Sequence, residues 1–89
     1  MISHITSKFR KAFRNLPQEE QKLARRAYRL FIKNPRHPSL QFKPINSARS
    51  IYSVRISLNY RALGSRDGDE IIWFWIGSHA EYDKILRAF

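Results

Sequence analysis

Apolar residues in the first third of the chain recur at helical spacing. Phe9, Ala12, Phe13 and Leu16 fall at i, i+3, i+4 and i+7, the stripe of a short amphipathic helix. Lys8, Arg10, Lys11 and Arg14 take up the rest of its surface. Pro17 suits the first position of a second helix, with Glu19 and Glu20 set against its positive end. Leu23, Ala27, Leu30 and Phe31 form the buried stripe of that helix, and Lys22, Arg25, Arg26, Arg29 and Lys33 cover its other side. The run "NPRHP" ends it, because Asn34 precedes a proline and is driven out of helical geometry. Two such helices with a short connection predict an antiparallel hairpin.

From Leu40 the period changes. "LQFKPI" reads as a short extended piece, with Pro44 marking an edge position. "IYSVRISL" alternates: Tyr52, Val54, Ile56 and Leu58 point one way, and Ser53, Arg55 and Ser57 the other. That is a strand with one buried and one open face. "YRALGS" is a second strand, "RDGD" carries the Asp-Gly signal of a tight hairpin, and "EIIWFWIG" is a central strand, apolar on both faces. "SHAEYDKILRAF" closes the chain as a helix, with Tyr82, Ile85, Leu86 and Phe89 as its apolar stripe. Residues Ile2 to Ile5 could add a brief strand, but its signal is weak. The order predicts one α+β domain over residues 1–89: an N-terminal helical hairpin on a three- to four-stranded, mostly antiparallel sheet, with a short C-terminal helix.

Composition adds a direction to this picture. Seventeen Lys and Arg stand against seven Asp and Glu, a net charge of +10. Thirteen of the basic residues precede residue 56, so the field is lopsided. Such a surface attracts polyanions. Nucleic acid is the first expectation and an acidic protein the second. A membrane partner is not expected, since no helix combines long apolar and basic faces with a Trp anchor. There is no cysteine, which removes disulfides and thiolate metal sites. No secretory n-region and h-region open the chain, so the expected location is cytoplasmic.

Familiar catalytic motifs are missing: no Gly-rich phosphate loop, no HExxH, no clustered His/Cys ligands. The carboxylates are few and scattered, so neither a metal nor a cofactor is expected. What remains is a cationic set on the strands, Lys43, Arg55 and Arg61, with His79 and Tyr82 just beyond the last strand. Arginine offers a planar fork of donors matched to phosphate and keeps its charge. It therefore stabilises a phosphorane-like transition state without trading protons. RNA cleavage by such a set needs a base for the 2′-OH and an acid for the 5′-oxygen, which leaves His79, Tyr82 or Lys43. With Ser78 as N-cap, His79 opens the last helix, where the positive helix end and nearby arginines disfavour imidazolium. Asp83, at i+4, is placed to orient the ring while opposing that effect.

Plainer roles compete for the same residues. Ser78 and Glu81 fit a capping box, Tyr82 heads the apolar stripe, and Arg55 suits an ordinary solvated strand face. The arginines also depend on register. A two-residue turn at Leu58-Asn59 would set Arg55 opposite Ala62 and turn Arg61 inward. An odd-length loop centred near residue 58 would bring both arginines to the open face. The sequence accommodates either.

Taken together, "HPSLQFKPI", "YSVRISLNYRALG" and "IIWFWIGSHAEYDKIL" resemble the RelE/ParE superfamily of bacterial toxins from toxin–antitoxin pairs. The most specific piece is the paired "Y-x-V-R-I…Y-R-A-L" strands followed by an apolar strand ending in "IG-x-H…Y". The resemblance implies a curved antiparallel sheet against the hairpin. In the RelE-like branch it further implies metal-independent mRNA cleavage in the ribosomal A site, leaving a cyclic or 3′-phosphate end. On that basis Arg61 is the arginine at the scissile phosphate. Lys43 and Arg55 are basic positions of the sheet, and His79 and Tyr82 lie near the substrate. Lys22, Arg25, Arg26, Arg29 and Lys33 would hold RNA or the ribosome. Ser53 stands where some members carry lysine, which shifts proton transfer towards His79. The near-absent first strand is a second departure, leaving an edge for an acidic or amphipathic antitoxin to complete or cover by strand addition. The ParE branch, which poisons DNA gyrase by contact, and a non-catalytic nucleic-acid-binding module are the alternatives.

Overall fold

The computed structural model describes Met1–Ala88. Phe89, expected on the last helix's apolar stripe, lies outside the described residues. Thr6 starts the first helix, its hydroxyl accepting the Phe9 N–H at 3.0 Å, and α1 (Ser7–Arg14) ends at Asn15. Helix α2 spans Gln18–Lys33. Pro17 is its N-cap, one residue earlier than the expected first helical position, because its ψ of 147° is extended. Asn34 ends α2 in a non-helical conformation, as the following proline requires. The Gln21 side chain ties the two helices by donating to the carbonyls of Arg14 and Leu16.

The sheet has five strands: β1 (Ile2–Ile5), β2 (Lys43–Asn46), β3 (Ile51–Arg55), β4 (Tyr60–Asp67) and β5 (Glu70–Ser78), in the order β1-β5-β4-β3-β2. The expected three or four strands are thus exceeded by β1, which pairs parallel to β5 while every other pair is antiparallel. Its residues find their partners some seventy positions away, and Ser3 Oγ accepts the indole N–H of Trp73 at 2.9 Å. The edge expected to stand open beside β5 is therefore occupied by the chain itself. Strand β4 is the middle of the five, and β5 is interior beside it. Pro44 does lie on an edge strand, β2.

A bulge makes β5 apolar on both sides. Leu63 pairs with Trp75 but Gly64 pairs with Trp73, so Phe74 is an extra residue and the alternation reverses there. Ile71, Trp73 and Ile76 all reach the same core as a result. That core joins Ala24, Ala27 and Phe31 of α2 to Val54 and Ala62 of the sheet. Phe31 meets Trp73 edge-on, with centroids 5.3 Å apart. Gly64 is needed at the bulge, since a Cβ there would lie 2.8 Å from both Ile71 and Trp73. Leu58, expected on the buried face, is 72% exposed, because β3 ends at Arg55 and the chain loops out.

The Asp-Gly signal is met by a two-residue turn. Asp67 pairs with Glu70, and Gly68 takes a positive φ of 59°. Helix α3 (His79–Ala88) follows β5 directly and turns onto the sheet face opposite α2. Among the described residues, no helix is long and apolar enough to cross a membrane.

Candidate active site

The open face of the sheet is fixed by register. Arg55 pairs with Arg61, Val54 with Ala62 and Ser53 with Leu63. The β3–β4 loop is therefore odd in length and centred on residue 58, the arrangement that brings both arginines to the open face. Lys43 joins them, paired with Ser53 on the neighbouring strand. On the far side Arg61 faces Gly77. A Cβ at Gly77 would lie 2.6 Å from the Trp75 ring, so glycine lets that ring lie across the strand.

Helix α3 supplies the other wall. Ser78 caps it: its Oγ accepts the Glu81 N–H at 3.2 Å and its hydroxyl donates to the Glu81 carboxylate at 3.1 Å. The expected capping pair thus forms, and it makes His79 the first helical residue. The His79 main-chain N–H donates to the Asn59 carbonyl at 2.7 Å, which pins the helix start to the β3–β4 loop. Tyr82 is buried, and its hydroxyl donates to Ser53 Oγ at 3.2 Å. It is both a core residue and a site residue. The Nδ1 of His79 lies 3.2 Å from the Asp83 carboxylate.

These elements enclose a polar cavity of about 170 Å³ lined by Gln41, Lys43, Ser53, Arg55, Arg61, His79 and Tyr82. All five residues expected to carry chemistry, Lys43, Arg55, Arg61, His79 and Tyr82, meet there. Arg61 is braced from behind: its Nη1 donates to the carbonyls of Ser57 at 2.7 Å and Tyr60 at 2.9 Å. Burial, then the Arg55 charge, hold its guanidinium below the usual arginine range, against the opposing pull of Tyr82 and Asp83. Arginine nonetheless remains cationic at any working pH. The cavity is thus a concentrated positive site with an imidazole and a phenol on its wall, suited to a phosphodiester.

Two lining residues escaped the sequence reading as contributors. Gln41 has a left-handed backbone, φ 46°, at the end of the single turn Pro38–Leu40; nothing in its local pattern marks it. Ser53, read only as a missing lysine, is 2% exposed and holds the Tyr82 hydroxyl.

The five basic residues of α2 do not join this cavity. Lys22, Arg25, Arg26, Arg29 and Lys33 are all exposed on the helix that packs on the opposite sheet face. Arg25 and Arg29 instead border an apolar groove of about 320 Å³ between the hairpin and the sheet, lined by residues that include Ile5, Phe9, Phe13, Tyr28, Ile56 and Trp73. The guanidinium of Arg25 lies 5.2 Å from the centre of the Phe13 ring.

Comparison with known proteins gives the family and the fold. Residues 18–84 match the model of the ParE-like toxin domain. No curated protein matches the chain in sequence. The fold is similar to that of a chain of the RelB–RelE antitoxin–toxin complex from Methanococcus jannaschii, with a TM-score of 0.73 at 18% identity over 92% of this chain and 96% of that one. It is also similar to YafQ from Escherichia coli, with a TM-score of 0.70 at 12% identity over 90% and 94% of the two chains. The YoeB/ParE toxin from Agrobacterium tumefaciens gives 0.65 at 14% identity over 89% and 99%. The chain belongs to the ParE-like toxin domain family, within the RelE/ParE superfamily of toxins.

Proposed function

We propose that this domain is the toxin of a toxin–antitoxin pair and acts as a ribosome-dependent endoribonuclease on mRNA. The observation that carries the reading is the convergence of Lys43, Arg55, Arg61, His79 and Tyr82 on one polar cavity. In the reaction the RNA 2′-oxygen attacks the adjacent phosphorus and the P–O5′ bond breaks. His79 accepts the 2′-OH proton. Arg55 and Arg61 stabilise the charge that develops on the phosphoryl oxygens. The departing 5′-oxygen takes a proton from Tyr82 or Lys43, and a 2′,3′-cyclic phosphate remains. The test is induced expression with mRNA 3′ ends mapped. Cyclic phosphate ends that disappear in Arg61→Ala support the reading, and unchanged cleavage in that variant removes it.

The antitoxin has its own candidate surface. Similar toxins were crystallised with RelB and with DinJ antitoxins. The apolar groove bordered by Arg25 and Arg29 suits an acidic amphipathic antitoxin segment, its apolar side chains in the groove and its carboxylates on the rim. The exposed cations of α2 are also the surface proposed for RNA and the ribosome, so an antitoxin seated there would exclude the ribosome.

The ParE-like family match favours a second reading, a non-catalytic toxin acting on DNA gyrase. DNA double-strand breaks with intact mRNA on induction would select it.

A further inference from the structure

His79 and Asp83 lie one turn apart on α3, with Nδ1 of the imidazole 3.2 Å from Oδ2 of the carboxylate. An ionised carboxylate accepts and cannot donate, so an oxygen at this ion-pair distance favours a proton on Nδ1. In the neutral ring Nε2 is then the free base. The main chain of His79 is bonded to Asn59, and Asp83 places its carboxylate beside Nδ1. Tyr82 lies against it, with ring centroids 5.8 Å apart. His79 lines the polar cavity, whereas Asp83 is not among the lining residues.

We propose that Asp83 is the positioning residue of this site: it fixes His79 as the Nδ1–H tautomer and so makes Nε2 the acceptor of the RNA 2′-OH proton. The inference rests on the nuclease reading and assigns the proton path within it. The proton leaves the 2′-oxygen for Nε2 as the oxygen bonds to phosphorus, and the resulting imidazolium forms beside a carboxylate already in place. Charges facing the ring come from every neighbouring element. Lys43 on β2, Arg55 on β3 and Arg61 on β4 share its cavity, and Tyr82 and Asp83 share its helix.

The test compares wild type, Asp83→Asn and Asp83→Glu in cleavage of mRNA on programmed ribosomes, alongside imidazole ¹⁵N spectra of the free proteins. Asp83→Asn should lower kcat by about 10- to 100-fold with KM nearly unchanged. Asp83→Glu should recover part of the rate. The spectra should show Nδ1–H in wild type and a tautomer mixture in Asp83→Asn. Wild-type kcat in Asp83→Asn, or an Nε2–H ring in wild type, would overturn the assignment. Absence of cleavage by wild type would remove the nuclease reading itself, while the spectra would still decide whether Asp83 sets the ring.

Discussion

Arg55 and Arg61 stand directly opposite one another on β3 and β4, two like charges on paired residues of an antiparallel ladder. Such a pair destabilises the sheet, and the guanidinium of Arg61 is held below the usual arginine range by burial first, then by the Arg55 charge. The sign follows from linkage. A cation whose folded pKa lies below its unfolded value destabilises the fold at every pH below that folded value, and is relieved only as pH rises through the arginine range. At neutral pH the full cost is present. An arrangement that opposes folding persists where something else needs the charge.

Neutralising either arginine should therefore separate stability from activity. Arg55→Gln is expected to raise stability by up to about 1 kcal/mol, read as a higher urea midpoint with an unchanged slope. Arg61→Ala should lower RNA cleavage roughly 100- to 1,000-fold with the fold intact by circular dichroism. A loss of stability in Arg55→Gln would mean that the guanidinium is held by contacts rather than opposed by its neighbour.

Tyr82 and Ser53 give a second test. The Ser53 hydroxyl is buried, and the tyrosine proton is its partner. Tyr82→Phe keeps the ring but strips that partner away, at an expected cost of about 1–3 kcal/mol. Adding Ser53→Ala to it removes the stranded hydroxyl and should recover part of the loss, a coupling of about 1 kcal/mol in a double-mutant cycle. Additive losses would show that the two groups do not depend on each other.

The helices, the order of the last four strands and the α3 cap were legible because each rests on neighbours in sequence: 3.6- and 2-residue periods, Pro35, Asp67-Gly68 and Ser78 with Glu81. What was hidden is non-local. Strand β1 exists through a parallel pairing to β5, and its own four residues hold no trace of that partner. The bulge at Phe74 looks in sequence like a strand apolar on both faces. Of the site, the cationic residues and His79 were visible as chemistry. Whether Arg55 and Arg61 shared a face turned on a loop that either register could satisfy. Gln41 and the role of Ser53 appear only once β2, β3 and α3 are assembled.

Gln41 links backbone and site in one measurable way. Its φ of 46° lies in the left-handed region, which glycine enters at no steric cost. Gln41→Gly should therefore stabilise the fold or leave it unchanged, within about 1 kcal/mol, in thermal unfolding. The residue lines the cavity, so the same variant should cleave RNA more slowly. Equal cleavage by wild type and Gln41→Gly would make the residue a structural accident of the turn.

The two faces of the sheet make toxicity and neutralisation separable. Tyr28 is 41% exposed and lines the apolar groove, on the side of the sheet away from Arg61. Tyr28→Glu places a carboxylate where an acidic amphipathic antitoxin segment would bury apolar side chains. It should weaken antitoxin binding by about 2 kcal/mol or more, some 30-fold, while RNA cleavage by the free toxin falls less, because Tyr28 borders the α2 cations proposed for the ribosome but lies outside the polar cavity. Arg25→Ala should cost less, and its effect should shrink as salt rises, because a rim charge contributes chiefly through screened attraction. Calorimetric titration with the antitoxin at two ionic strengths, beside a cleavage assay, measures both. Intact antitoxin binding in Tyr28→Glu would move the antitoxin off the groove, and a loss of cleavage as large as the loss of antitoxin binding would break the separation of the faces.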